Sequence, residues 1–394
     1  MSICFDLLSR TFSYRFPTKI VFGIGSISRL TEELKRFKFE KILMVSGPKV
    51  SRTEAYSVVR NFVESTGANL AEFTTTDAEP DVPLLNSLAS IAREQRPEIV
   101  IGVGGGSSMD LSKLASALSV NGKDPISYFK GEPVPIKGPP IITIPTLAGT
   151  GSEVTPISVI VENGVKLALV DHNLFPSLAL VDPSLSRGAG PEATASAGID
   201  ALCHAIESMM SVDSNPVSDA LSTHAIELAC SYLERAYCNG GDLEARAGIS
   251  AASVLAGMAF QATGLCLPHG IAYTYAVKRS LPHGSSVSIA EPYVAIFNAP
   301  AIPGKISRIA RAMGVDTYGL SASDIGLEVA FRILDITQTL SLPQTLEDLG
   351  IGEHEIEAMV DDLITNHRRF IIKNPRKPSR DELIDLYTDI LEGI

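Results

Sequence analysis

Basic residues are in short supply in this 394-residue chain: 33 Lys and Arg stand against 45 Asp and Glu, for a formal charge of -12 and a sequence pI of about 5.1. Nucleic-acid binding rests on clustered Lys and Arg that neutralise phosphates, so no nucleic-acid partner is expected. Cysteine is also sparse. Cys4, Cys203, Cys230, Cys238 and Cys266 are odd in number, scattered and without CxxC spacing, which argues against a disulfide framework or a zinc knuckle and fits reduced thiols. The opening MSICFDLLSRTFSYRF lacks a basic start, a long apolar core and a small-residue cleavage site; a secretory leader is not expected and a cytoplasmic location is. Residues 247 to 277 do lack Asp, Glu, Lys and Arg, but Gln261, Pro268, His269 and repeated Gly and Ser interrupt them. Pro-His-Gly in lipid would leave backbone groups unsatisfied, so a buried helix followed by a turn is expected, with no membrane partner.

What is present is length for two domains. The first half alternates β-rich runs with helical stretches, the pattern of a parallel sheet covered by helices. KIVFG (19 to 23), KILMVSG (41 to 47), EIVIGVGGG (98 to 106), IITIP (141 to 145) and LALVD (178 to 182) read as strands; residues 51 to 67 and 82 to 96 carry apolar positions at helical spacing. After about residue 190 the β-rich runs nearly vanish. The boundary falls at Pro183 and RGAGPE, giving an α/β domain over residues 1–187 and an all-helical domain over 188–394.

Two glycine-rich loops follow strands. In EIVIGVGGGSSMDLSK three consecutive glycines lead into a helix that Ser107 or Ser108 is placed to cap, and free N–H groups at a helix start favour a pyrophosphate. In IPTLAGTGSEVT, glycines are combined with Thr146, Thr150 and Ser152, and Lys166 downstream offers a point charge. Two such loops fit one extended phosphate-bearing ligand.

In GIDALCHAIE, Asp200 and His204 lie four apart on a predicted helix and share a face. The tetrapeptide LPHG occurs twice, placing His269 and His283 each after proline and before glycine, as two chain reversals aimed into one cleft would. One carboxylate and three imidazoles suit a divalent transition metal with room for substrate. Such a cation polarises a carbonyl or lowers an alcohol's pKa, and a nicotinamide supplies or takes the hydride. His224 aligns with Val217, Leu221 and Leu228 and reads as a helix-packing residue; His172, His354 and His367 read as surface groups.

These motifs, with FPTKIVFGIGS (16 to 26) and NPRKPSRDELIDLY (374 to 387), resemble the iron-dependent (group III) alcohol dehydrogenases over nearly the whole chain. The resemblance implies a Rossmann-like N-terminal dinucleotide-binding domain, an all-α C-terminal domain in the dehydroquinate synthase-like architecture, and a site in the cleft between them. It matches Asp200, His204, His269 and His283 to the metal ligands, with Fe(II) favoured and Zn(II) as the alternative. It matches Gly104, Gly105, Gly106, Ser107, Ser108, Thr146, Leu147, Thr150 and Lys166 to cofactor contacts and Asp110 to a loop-holding position, and it implies a homodimer through the β-rich TFSYRFPTKIVFG. The implied activity is hydride transfer between NAD(P) and a small alcohol or aldehyde. The alternative is a lyase or cyclase similar to dehydroquinate synthase, using NAD and a metal without net redox turnover.

The chain departs from the family pattern in two places. Many members carry a further histidine four residues after the first HG histidine, where this chain has Tyr273, a candidate pocket or proton-relay residue. Lys278 and Arg279 fall where members are mostly uncharged or aromatic, which hints at an anionic substrate; the plainer reading of the pair is a solvated loop. At the end of the second strand, NAD-preferring members resemble MVTD, whose aspartate binds ribose hydroxyls; Gly47 stands there instead, near Lys49 and Arg52, so NADP(H) is expected to be accepted and preferred over NAD(H).

Overall fold

The computed structural model describes residues 11–75 and 79–394. Six parallel strands form the main sheet: β1 (Lys19–Phe22), β2 (Lys41–Ser46), β3 (Asn69–Thr74), β4 (Ile99–Gly104), β5 (Ile141–Pro145) and β8 (Leu178–Val181), in the order β1-β8-β5-β4-β2-β3. The central strands are apolar on both faces because helices cover both. Leu43, Val45 and Val100 pack with Leu85, Leu88 and Leu111 on one face, while Ile42, Met44, Ile99 and Ile101 pack with Tyr56, Val59 and Val63 on the other. The helices of this unit are α1 (Leu30–Leu34), α2 (Glu54–Glu64), α3 (Val82–Gln95), α4 (Gly106–Val120) and α5 (Pro125–Phe129). Thr53 caps α2 and Asp81 caps α3, each accepting a backbone N–H of the first turn.

Strands β6 (Ile157–Glu162) and β7 (Val165–Val170) form a separate antiparallel hairpin. Its two-residue turn, Asn163-Gly164, has φ of 51° and 80°, the double left-handed turn that suits the twist of paired strands.

Helices α6 (Pro191–Met210), α7 (Pro216–Cys238), α8 (Leu243–Thr263), α9 (Leu267–Tyr273), α10 (His283–Asn298), α11 (Pro303–Ala312), α12 (Ala322–Thr339), α13 (Ile356–Asn366), α14 (Arg368–Lys373) and α15 (Arg380–Glu392) follow. By contact the chain divides into two compact units, Phe16–Gly190 with Gly240–Ser250, and Pro191–Asn239 with Ala251–Ile394 and residues 11–15. Among the described residues no single helix is long and apolar enough to cross a membrane; the uncharged stretch is α8 and α9, bent by 95° at the break between them. Among those residues the cysteines, Cys203, Cys230, Cys238 and Cys266, are free, and Cys4 lies outside them.

The histidines outside the expected ligand set require two corrections. His224 is exposed and pairs with Glu227 at 3.1 Å, because it lies on the outer face of α7. His367 is buried, 1 % exposed, where the chain passes from α13 into α14 and packs edge-on against Tyr273.

Candidate metal and cofactor sites

Helix α6 is buried almost throughout, from Thr194 to Met210, and it carries Asp200 and His204 one turn apart. The two LPHG segments are helix starts rather than chain reversals. Pro268 lies in the first turn of α9, where a missing N–H costs nothing, and His283 is the first residue of α10 behind Pro282. The glycine after His283 lets α10 close on α6: a Cβ at Gly284 would lie 1.8 Å from the Ser196 carbonyl oxygen and 2.7 Å from Asp200 Cβ. No other residue type brings His283 this close to Asp200.

One donor atom from each of Asp200, His204, His269 and His283 lies within 4.8 Å of the others. Asp200 Oδ1 is 3.6 Å from His204 Nε2, 3.8 Å from His269 Nε2 and 3.9 Å from His283 Nε2. These separations are too long for hydrogen bonds. They come close to those of donors sharing one ion, which at about 2.1 Å from a common centre and open angles stand roughly 3.4 to 3.8 Å apart. Asp200, His204 and His269 side chains are at most 4 % exposed, whereas His283 is 29 % exposed, so the cluster opens on the His283 side. Tyr273 stands at that wall, its ring centroid 5.8 Å from that of His283 and 5.4 Å from that of His367. Lys278 and Arg279 are exposed, and Arg279 binds Glu355 at 2.7 and 2.9 Å.

One contributor went unassigned in the sequence. Glu207, fully buried, binds His269 Nδ1 through Oε1 and accepts the Cys266 N–H at 2.7 Å through Oε2. Its position three residues beyond His204 on the same helix face was a legible signal. Fully buried Glu291 lies within reach of Glu207 and Cys203. Burial pushes both carboxyls up, and the N–H donors that Glu207 receives from Cys266 and His269 oppose the shift there.

In the α/β unit, the strand order turns back between β2 and β4, and the chain ends of these strands form the crevice where such folds bind ligands. Gly47 follows β2; Gly104 ends β4, Gly105 is the N-cap of α4, and Gly106, Ser107 and Ser108 begin that helix. Neither serine caps α4, and no other described side chain does, which leaves the helix start open to an anion. The second loop is fastened to the first. Thr146 N donates to Gly104 O at 3.0 Å, and a Cβ on Gly106 would meet Thr150 Cγ2 at 2.9 Å. Beside it, Pro145, Leu147, Ala148, Glu153, Val181 and Ser186 line part of a recess. Asp110 holds this geometry from below, accepting from Ser152 Oγ at 2.5 Å, Val159 N at 3.0 Å and Lys113 Nζ at 3.3 Å. Lys113 is fully buried, and desolvation lowers its pKa while Asp110 opposes the shift. Lys166 is buried on β7 and pairs with Glu79 at 2.7 Å.

Comparison with known proteins agrees with this chemistry. The family model "Iron-containing alcohol dehydrogenase" matches residues 17–183, and "Fe-containing alcohol dehydrogenase family, C-terminal" matches residues 194–391. The chain is 33 % identical to a 1,3-propanediol dehydrogenase of Klebsiella pneumoniae, over 96 % of this chain and 98 % of that protein. A solved 1,3-propanediol oxidoreductase superposes with a TM-score of 0.91 at 31 % identity, over 97 % of this chain and 100 % of the other. Sulfoacetaldehyde reductase from Bifidobacterium kashiwanohense, solved in complex with NAD+, superposes with a TM-score of 0.87 at 29 % identity, over 97 % and 99 %. The chain belongs to the iron-containing alcohol dehydrogenase family. It is therefore an oxidoreductase of that class, and none of these three relatives is a lyase.

Proposed function

We propose that this enzyme passes hydride between a nicotinamide cofactor and a small alcohol or aldehyde, with Asp200, His204, His269 and His283 holding Fe(II). The observation that carries the reading is the convergence of one carboxylate oxygen and three imidazole nitrogens within 4.8 Å, open on one side. The donor set fits a divalent transition metal, Zn(II) being the competing occupant. A bound cation supplies Lewis acidity there, polarising a carbonyl oxygen or easing loss of an alcohol's proton.

The chain's own groups do the rest. Residues 188–394 provide the ligands and Tyr273, whose hydroxyl we assign to the substrate side as pocket wall and proton relay. Residues 1–187 provide the cofactor contacts: Gly104 to Ser108 and Thr146, Leu147 and Thr150 at the phosphates, with Asp110 bracing the loop and Lys166 nearby. Gly47 adds no carboxylate beside the ribose, and Lys49 and Arg52 are exposed close by, which supports NADP(H) over NAD(H). Lys278 and Arg279 supply the reason to include anionic aldehydes among the substrates, a chemistry the sulfoacetaldehyde reductase's name also carries. A cytoplasmic homodimer completes the proposal.

The test is an anaerobic screen of small neutral, carboxylate, sulfonate and phosphonate aldehydes with NADH and NADPH, after reconstitution with Fe(II) or Zn(II), read at 340 nm. Oxidation of reduced cofactor is the expected result, and none across the panel overturns the redox reading. For the cofactor, kcat/KM with NADPH at least about tenfold below that with NADH overturns the NADP clause. Gly47→Asp is expected to move preference toward NADH.

A further inference from the structure

His269 is held from both sides of its ring. Its Nε2 faces Asp200 Oδ1 at 3.8 Å, and its Nδ1 meets Glu207 Oε1. Ring rotation is opposed by stacking on His204, at 4.9 Å between centroids and 18° between planes, and on Phe370, at 6.3 Å and 28°. Each oxygen of Glu207 has a partner: His269 Nδ1 meets one, and the Cys266 backbone N–H donates to the other. With the proton on His269 Nδ1, a glutamine in its place would aim its NH2 at one of two donors, whereas a carboxylate accepts from both. Glu291, on the facing helix α10, is buried against it. Two acids between packed helices are not what packing alone selects, because apolar replacements of buried ionic groups are often neutral or stabilising.

We propose that Glu207, backed by Glu291, is the positioning residue of the metal centre: it fixes His269 with its proton on Nδ1, so that Nε2 is the atom presented to a divalent cation. The inference rests on the four-ligand reading above and adds to it two buried acidic side chains behind one imidazole. A carboxylate in this place also raises the basicity of the ligating ring.

Co(II) added to the chelator-stripped, full-length protein tests this through affinity and through visible d–d bands that report ligand geometry. Glu207→Gln is expected to weaken Co(II) binding about 10- to 100-fold and to shift the bands. Glu291→Leu, which leaves Glu207 in place, is expected to move both readouts in the same direction by a smaller factor. A residue needed only for packing would lower the urea midpoint of the metal-free protein without moving the bands. His269→Ala and Asp200→Asn separate the two levels of the argument. If both lose Co(II) while Glu207→Gln and Glu291→Leu bind within about threefold of the parent, with unchanged bands, the positioning role is overturned and the ligand set stands. If His269→Ala binds Co(II) as the parent does, the ligand set itself is wrong and the inference falls with it. Should Glu207→Gln fail to fold, Glu291→Leu decides alone, and unchanged affinity and bands in it overturn the proposal.

Discussion

At the scale of single residues, charge and burial set what each histidine does. Asp200 contributes the one formal negative charge among the four proposed ligands, so Asp200→Asn preserves shape and removes the charge that a divalent cation needs. Metal retention and kcat/KM are both expected to fall by about a hundredfold or more, measured by metal content after dialysis and by turnover. His367 is governed by the opposite rule. Burial lowers its pKa to about 4, with Asp362 opposing the shift and Arg369 adding to it. The unfolded chain takes up a proton below about pH 6.5 that the folded chain refuses, so the stability tied to neutral His367 is complete above that pH and is lost as pH falls toward 4. The loss amounts to about 2 kcal/mol after allowance for solvent screening. In urea titrations at pH 7 and pH 4.5, His367→Phe should lose less stability on acidification than the parent; equal losses would refute the assignment.

At the scale of elements, the close approach of α6 and α10 builds the site. Gly284→Ala places a methyl 1.8 Å from Ser196 O, and the helices must separate. Overpacking of this kind costs about 3 kcal/mol, and displacement of His283 should weaken metal binding as well. Gly304→Ala on α11 is the control, since nothing lies within 4 Å of its Cβ position, and it should leave metal binding unchanged. Thermal unfolding with and without Co(II) compares the two. The same close contacts explain what the sequence could and could not disclose. Strands β1, β2, β4, β5 and β8 are short apolar runs bounded by turn residues, and they were legible for that reason. Edge strand β3, NLAEFT, buries only Phe73 well and so lacks a clear pattern. The β6–β7 hairpin carried the signal in Asn163-Gly164, but its continuous apolar flanks obscured the alternation. The four clustered donors were legible because Asp200 and His204 share a helix face and LPHG repeats. His367 and Glu291 were not: burial of a polar side chain depends on which helices pack over it, and no local spacing encodes that.

At the scale of the whole molecule, the proposed homodimer rests on one sheet edge. Strand β1 pairs with β8 along Lys19 to Phe22 and, among the described residues, has no strand on its other side. An open edge with unpaired N–H and C=O groups is a template for another chain unless charge or proline protects it. Lys19 is tied to Glu33 at 2.7 Å, while Phe22 and Ile24, at the end of β1, are 43 % and 55 % exposed. The net charge of -12 opposes contact between two copies, so a dimer must be held by backbone pairing and apolar burial, and its affinity should rise as salt screens the repulsion. Light scattering is expected to give twice the 41.9 kDa chain mass at moderate salt. Replacing both Phe22 and Ile24 with Lys adds charge at the edge and removes the apolar cover, and should shift the population to monomer without loss of Co(II) binding, because neither residue belongs to the ligand set. A parent protein that scatters as a single chain at every salt concentration would overturn the dimer. A variant that stays dimeric would place the interface elsewhere on the surface.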